Sequence, residues 1–362
     1  MTGDQSFRLV LTGQSLIERP LHLVPSAGSQ HVRELIRAAD LAITNLEVAI
    51  ETPEGRPVRE TTSHTAGEQV LDTLAWFGFQ GVALASNHAF DLGPAGIVAA
   101  LEATKRRGMI TAGTGRDAAT AAIPGVAMMG STTVALHAVV AAQNPTGAHA
   151  LDATESSAAR AGVNRLRMPE PAATQAWQTP DPSDVSTLLR SVRASARYAE
   201  IVIVYLHNHY WASPAESTPS WVEDLARRCI DDGASVVFGH GTPAMQGIEL
   251  YRGRLILYGL GSLVFHTRKP ECYDTTAWES VVVDAEISSG GGIDQVRLHP
   301  LIHGCHPERD PSDGSDGSPA IAEPATAQAI LGRLDRLSAR FGTAIEVTPD
   351  GCGTVRLAAS AQ

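Results

Sequence analysis

The sequence predicts an α/β fold, and two observations carry that expectation. Short apolar runs ending in polar or glycine-bearing turns recur along the chain, with stretches of helical periodicity between them, which is the signature of βαβ units. The chain is also long enough to bury a large core. Its 362 residues, 43% hydrophobic and 19% charged, fit either two domains or one α/β unit with appendages.

The strands are read from the runs. Residues 7–11 lead into Thr12-Gly13-Gln14, and residues 41–43 lead into Thr44-Asn45-Leu46-Glu47. Residues 81–84 lead into Ser86-Asn87-His88, residues 201–206 into His207-Asn208-His209, and residues 235–238 into Gly239-His240. Between them, 32–39, 68–77, 93–107 and 220–232 carry helical periodicity. Residues 141–185, rich in Ala, Pro, Thr and Ser and without a strong period, are expected to form a long loop over the site. The stretch 303–324, containing ERDPSDGSDGSP, reads as a polar surface loop. An amphipathic helix over 330–341 and a closing hairpin over 344–357, turning at Pro349-Asp350-Gly351, complete the chain. The expected organisation is one domain over 1–302, the 303–324 loop, and a C-terminal helix and hairpin within 325–362 packed on that domain.

Charge and cysteine usage exclude several classes. Twenty-eight basic against thirty-nine acidic residues give a net charge of -11, which argues against nucleic acid as a partner because phosphate binding needs a basic face. Cys229, Cys272, Cys305 and Cys352 are far apart and include no C-x-x-C pair, so neither a disulfide framework nor a cysteine zinc site is expected. The N-terminal MTGDQSFRLVLTG has no basic region followed by an apolar run, and no stretch of about 18 apolar residues occurs. The expectation is a cytoplasmic protein with no membrane insertion.

In open α/β sheets ligands collect at the carboxyl ends of strands, where the loops converge. Here five successive runs end in residues able to bind a metal or move a proton: Gln14, Glu47 with Asn45, Asn87-His88, His207 with His209, and His240. A backbone-satisfied loop side chain accounts for any one of them equally well; five together point to a shared site. Arg59 and His64, just before a helix, are candidates to face substrate, against the alternative of solvated capping residues. Asp91 is expected to cap the next helix or to orient His88. Tyr210, Trp211 and Trp221 fit either a groove or the core, and His303 and His306 flank Cys305 without further ligand partners nearby. No G-x-S-x-G, Walker or G-x-G-x-x-G pattern is present, which disfavours covalent and nucleotide chemistry.

The runs TNLE (44–47), SNHAFDLG (86–93), LHNHYW (206–211), GHGTPAMQGIELYRGR (239–254) and LYGLGSLVF (257–265) occur in an order that resembles the CapA-like family, related to calcineurin-like metallophosphatases. The resemblance implies a metallophosphatase-like α/β/β/α sandwich whose strand ends bind two divalent metals that clamp an ester and generate hydroxide. It implies Glu47 as the bridging carboxylate, Asn87, His207 and His240 as ligands of one metal, and His88 as an acid/base beside them. Two positions depart from the family pattern. The G-D-x-M-L motif reads Gly13-Gln14-Ser15-Leu16-Ile17 here, and G-H-x-P-H reads Gly239-His240-Gly241-Thr242-Pro243. Losing one carboxylate and one imidazole should cripple the first metal position.

Three readings follow. The first is a peptide epimerase, similar to a lasso-peptide branch of the family, acting on a ribosomal precursor peptide by metal-independent proton transfer at Cα. Its catalytic residues would be His88, Glu47, His207, His209 and His240, with Gln14, Asn45, Asn87, Arg59 and His64 binding substrate and no cofactor expected. The second is a phosphoester or amide hydrolase with one divalent metal on Glu47, Asn87, His207 and His240, with His209 as a further candidate ligand. The third is a non-catalytic assembly protein of capsule-polymer synthesis.

Overall fold

The computed structural model describes residues 6–58, 63–142, 150–152, 154, 157–169, 179–309 and 317–357. Period-two alternation along the long strands explains its layers. In Phe7–Leu16, Leu9 and Leu11 enter one hydrophobic cluster while Val10, between them, enters another. In Ile201–Asn208, Ile203 and Tyr205 share the cluster of Leu9 and Leu11, and Val202 and Val204 point into a third. Strands buried on both faces like these need a covering layer on each side.

Among the described residues the larger sheet has ten strands and the smaller has six. Across the larger one run Ile345–Val347, Gly353–Val355, Ile293–Ile302, Glu279–Ile287, Phe7–Leu16, Leu41–Leu46, Gly81–Ala83 and Ile110–Ala112. From Phe7–Leu16 onward its neighbours are parallel, and Ser262–Phe265 adds a parallel partner at the carboxyl end of Phe7–Leu16. The smaller sheet runs Ile248–Tyr251, Arg254–Leu257, Val236–His240, Ile201–Asn208, Thr132–Ala141 and Gly125–Met129, with a parallel centre. The sheets pack face to face through Leu9, Leu11 and Ile43 on one side and Leu136, Ile203 and Phe238 on the other. Helices Ala27–Arg37 and Val70–Phe77 cover the outside of the first sheet, and Pro182–Ser195 and Ser220–Asp231 cover the second. The result is the α/β/β/α sandwich that the resemblance implies.

Several segments differ from expectation. The smaller sheet gains Gly125–Met129 and Thr132–Ala141, and the stretch expected as a loop over 141–185 already contains the start of the helix Pro182–Ser195. That helix has its own signals: Asp181 accepts a hydrogen bond from the Ser183 N–H, Pro182 occupies the first turn, and Val185, Leu188, Leu189 and Val192 form an apolar stripe. The 303–324 surface loop needs correction as well. His303, His306 and Ser318 are buried, and Ala320–Ile321 pairs with Leu301 and Ile302, because the Trp278 ring lies against His303 and draws the segment inward. The terminal helix starts at Pro324, where proline's fixed φ suits a first turn, rather than at residue 330. The hairpin of Ile345–Val347 and Gly353–Val355 extends the larger sheet. Trp221 belongs to the core under the second helix layer. Among the described residues no helix is long and apolar enough to cross a membrane.

Candidate functional site

The site is built where the parallel strands of both sheets end. Gln14 lies in register with Asn45 on one neighbour and with Ser262 on the other, and Glu47 follows one residue past its strand. In the smaller sheet His207 pairs with His240 across adjacent parallel strands. Two glycines let these strand tips close together. A Cβ on Gly13 would sit 1.7 Å from the Gly261 carbonyl oxygen, which accepts the Gln14 N–H at 3.2 Å. At Gly241 φ is +133°, and a Cβ there would sit 1.8 Å from the Asn208 oxygen. These contacts explain why the motif residues sit beside glycine.

Gln14, Asn45, Glu47, Asn87, His207 and His240 are all buried. His207 is held at both nitrogens: Tyr205 Oη lies 3.0 Å from Nδ1, and Nε2 donates to Asn87 Oδ1 at 2.9 Å. Its Nε2 is 3.7 Å from Glu47 Oε1, and His240 Nδ1 is 4.0 Å from Glu47 Oε2. His209 stacks on His207 with ring centroids 5.0 Å apart, and Asn45 Nδ2 approaches Glu47 Oε2 at 3.5 Å. Neither ring nitrogen of His240 makes a hydrogen bond within the described residues, although the Gly261 backbone lies near enough to favour a ring proton slightly.

Burial dominates the charge states. It pushes the Glu47 carboxyl well above the usual carboxylate range, and the nearby Asp91 adds to the rise while Asn45 opposes it. It pushes His207 well below the usual imidazole range, helped by the neighbouring His209, His240 and His88. His240 falls to about 3 for the same reason. With the protein's charges alone, burial thus favours the uncharged forms of Glu47, His207 and His240.

A second unit adjoins this cluster. His88 Nδ1 donates to Asp91 Oδ2 at 2.7 Å, and the same oxygen accepts the His64 backbone N–H at 2.8 Å. Asp91 has no exposed surface and makes no side-chain cap to the following helix Gly93–Arg106, so of its two expected roles it takes the orienting one. The His64 ring meets His88 edge-on at 4.6 Å, and its Nδ1 donates to Glu18 Oε1 at 2.7 Å. Arg59 lies outside the described residues. Trp211 Nε1 donates to the Asn208 carbonyl and its ring neighbours His209. His303 and His306 lie elsewhere, against Trp278 and Glu279.

The donor chemistry fits one divalent cation. Glu47, His207 and His209 each present a ligand atom, all within 4.8 Å of one another, and His240 adds a buried nitrogen beside Glu47. Tyr205 can accept from His207 Nδ1 as well as donate to it, so His207 can offer an Nε2 lone pair to a cation once Asn87 moves off that nitrogen. His209, the further ligand that the sequence offered, lies in this donor set, whereas Asn87 is engaged by His207. Gln14 brings only a neutral amide, so a second cation lacks its carboxylate. Sequence reasoning missed Glu18 and Tyr205, whose roles depend on partners 46 residues away and on a histidine two residues along one strand. The alternation in Tyr205-Leu206-His207 held a signal for the second, since residues two apart share a face.

Comparison with known proteins follows the same line. The family model described as bacterial capsule synthesis protein PGA_cap matches residues 8–267. The chain is 26% identical to the uncharacterized protein y4sH of Sinorhizobium fredii over 97% of its own length and 93% of that protein. It is 29% identical to a probable polyglutamine synthesis accessory protein of Mycobacterium tuberculosis, over 63% of this chain and 56% of the relative. It is 23% identical to the capsule biosynthesis protein CapA of Bacillus anthracis, over 65% of this chain and 53% of the relative.

Proposed function

The chain belongs to the PGA_cap family of bacterial capsule synthesis proteins, with its metallophosphatase-like fold, and on that premise we propose that it is an acid/base enzyme that inverts a Cα centre of a peptide. The observation that carries the reading is the His88–Asp91 pair. Asp91 holds the Nδ1 proton of His88, and in this reading Nε2 takes and returns the substrate proton. Asp91 is itself fixed by the His64 N–H, so the imidazole is oriented before substrate arrives.

A peptide Cα proton is weakly acidic, and its removal puts charge on the neighbouring carbonyl oxygen. Buried amides at Gln14, Asn45 and Asn87 would supply donors for that charge. The second proton carrier, on the opposite face of the carbon, comes from the cluster of Glu47, His207, His209 and His240. A divalent cation on Glu47, His207 and His209, when bound, would supply positive charge that polarises the substrate carbonyl. This donor set favours one cation over the metal-free pocket that the missing ligands alone imply.

Two further points support a peptide as substrate. Relatives carry names in polyglutamine and capsule-polymer synthesis, the first of them an amide-linked chain of α-amino acids. The departures at Gln14 and Pro243 from the family's metal motifs agree with chemistry like that of the lasso-peptide epimerase branch, and a ribosomal precursor would place the enzyme in the cytoplasm. Hydrolysis of a phosphoester or amide is the second reading, favoured by the Glu47–His207–His209 donor triad. A two-cation clamp on both attacking and leaving oxygens is not available to it, because Gln14 stands where the family pattern has aspartate. A purely structural assembly role leaves the oriented His88 without a purpose.

Incubating a peptide substrate with the enzyme in heavy water separates these readings: deuterium at an intact Cα supports inversion, whereas cleavage with no deuterium at Cα supports the hydrolase.

A further inference from the structure

The edge of a sheet carries unpaired N–H and C=O groups that accept another strand unless something blocks them. Among the described residues, three of the four outer edges of the two main sheets are blocked. Glu346, ion-paired to Arg356, puts charge on the edge Ile345–Val347. On the edge Ile248–Tyr251, Ser338 Oγ and Thr343 Oγ1 accept the outward N–H groups of Ile248 and Leu250 at 2.9 and 3.1 Å. The edge Ile110–Ala112 lies against the start of Gly125–Met129, where a Cβ on Gly125 would sit 2.4 Å from the Thr111 carbonyl oxygen.

The fourth edge, Gly125–Met129 itself, is open. The Thr133 N–H donates to Glu200 Oε2 at 2.7 Å and the Thr133 carbonyl accepts the Glu200 N–H at 3.0 Å. Thr133 thus turns its backbone away from Met128, the residue opposite it. Met128 therefore stands in a non-hydrogen-bonded pair, and its own N–H and C=O face outward, as do those of Val126 two residues before. The side chains of this edge are apolar and bare: Val126 is 49% exposed, Met128 73% and the adjoining Ile123 60%. Residues 118–136 hold no charged side chain, in a chain with a net charge of -11.

We propose that this edge is the contact through which two copies of the chain pair, antiparallel, about a two-fold axis at Ala127. The strand is complementary to itself in that register. Val126 of each copy lies opposite Met128 of the other, and the two exchange their outward N–H and C=O groups, joining the smaller sheets of both copies. Val126 and Met128 also share one side of the sheet, so each apolar side chain covers the other across the seam. The seam stays short, because Pro124 has no N–H with which to continue the ladder. Charge selects the same occupant. Two acidic molecules repel, and an uncharged strip lets them touch without setting like charges opposite each other. Ala127 pairs with Val134, and Val134 with Ile201 at the start of the strand that ends in His207 and Asn208. The contact therefore lies at the end of the smaller sheet away from the site, and both sites of the dimer stay open.

Sedimentation velocity from about 1 µM to about 300 µM tests this, the range in which a short, largely apolar seam associates. The wild-type chain should pass from one copy to two across that range. Met128→Lys and Val126→Lys, each at an exposed side chain, should stay single throughout, with circular dichroism and urea midpoint unchanged. In a chain carrying Cys272→Ser and Cys305→Ser to remove the exposed thiols, Ala127→Cys should form a disulfide with its copy under mild oxidation. Val347→Cys, on the charged edge, should not. A wild-type chain that is single at every concentration overturns the proposal and leaves the edge to an extended peptide strand. A dimer that survives both lysine substitutions, or equal cross-linking at the two cysteine positions, puts the contact elsewhere and overturns it too.

Discussion

At the scale of single residues, the chemistry rests on burial without charge compensation. Glu47, His207 and His240 are buried together, and burial raises the carboxyl and lowers both imidazoles from their ordinary ranges. The first consequence concerns His88. Replacing it by Ala should lower proton exchange at the substrate Cα by about 100-fold to 10,000-fold while circular dichroism and urea midpoint stay near wild type, as a positioned acid/base is lost and little core goes with it. Retained exchange would show that another group moves the proton. The second consequence is a pH dependence of stability. His240 titrates at about 3 in the folded chain against an ordinary 6.5, so on acidification the unfolded chain takes up a proton that the folded chain refuses. Stability therefore falls as pH drops through 6.5 and continues to fall toward 3, and from pH 7 to 5 this one group accounts for about 2 kcal/mol. Urea unfolding with chelator present should show a smaller loss between pH 7 and pH 5 in His240→Gln than in wild type; equal losses would contradict the buried, neutral imidazole. The residues of this cluster were legible in the sequence because each ends an apolar run. Glu18 was not, since nothing in Ile17-Glu18-Arg19 indicates that His64 will fold back onto it.

At the scale of elements, the strand tips converge because glycine stands where backbones touch. Gly241→Ala would place a methyl against the Asn208 carbonyl at a φ that other residues rarely adopt. The expected cost is at least about 2 kcal/mol in urea unfolding, together with loss of activity, because the strands carrying His207 and His240 must move apart. A change within about 0.5 kcal/mol would mean that the tips are loosely packed. The strands bearing site residues were readable for the reason just given: a polar residue closes each run. Thr132–Ala141 offers no such stop, because it is buried on both faces and ends in alanine, so its sequence shows neither alternation nor boundary. The helix Pro182–Ser195 carried a proline, an aspartate cap and an apolar stripe, but the low-complexity stretch before it masked the start. Burial of His303 had no local signal, since Trp278 reaches it from another strand end.

At the scale of the whole molecule, the core between the sheets is closed by the last part of the chain. The helix Pro324–Ala339 inserts Ala327, Ile330, Leu331 and Leu334 into the cluster that also holds Leu9 and Phe238. Three of these are large aliphatic side chains, and at about 1.5–3 kcal/mol each their removal takes away a large share of an ordinary domain's stability. Deleting residues 324–362 should therefore give insoluble or unfolded protein, whereas a folded, soluble truncation with wild-type midpoint would show that the C-terminal segment is an appendage. The same four-layer frame brings both sets of strand ends to one edge, and there an oriented imidazole, a buried carboxyl and the histidine cluster meet. The central claim is that this edge moves a proton at a peptide Cα. Mass spectrometry of the cognate precursor peptide after incubation with the enzyme in heavy water tests it most directly. The account predicts one deuterium at a single Cα, inversion of that centre and unchanged connectivity; cleavage of the peptide, or an untouched Cα in fully active conditions, would contradict it.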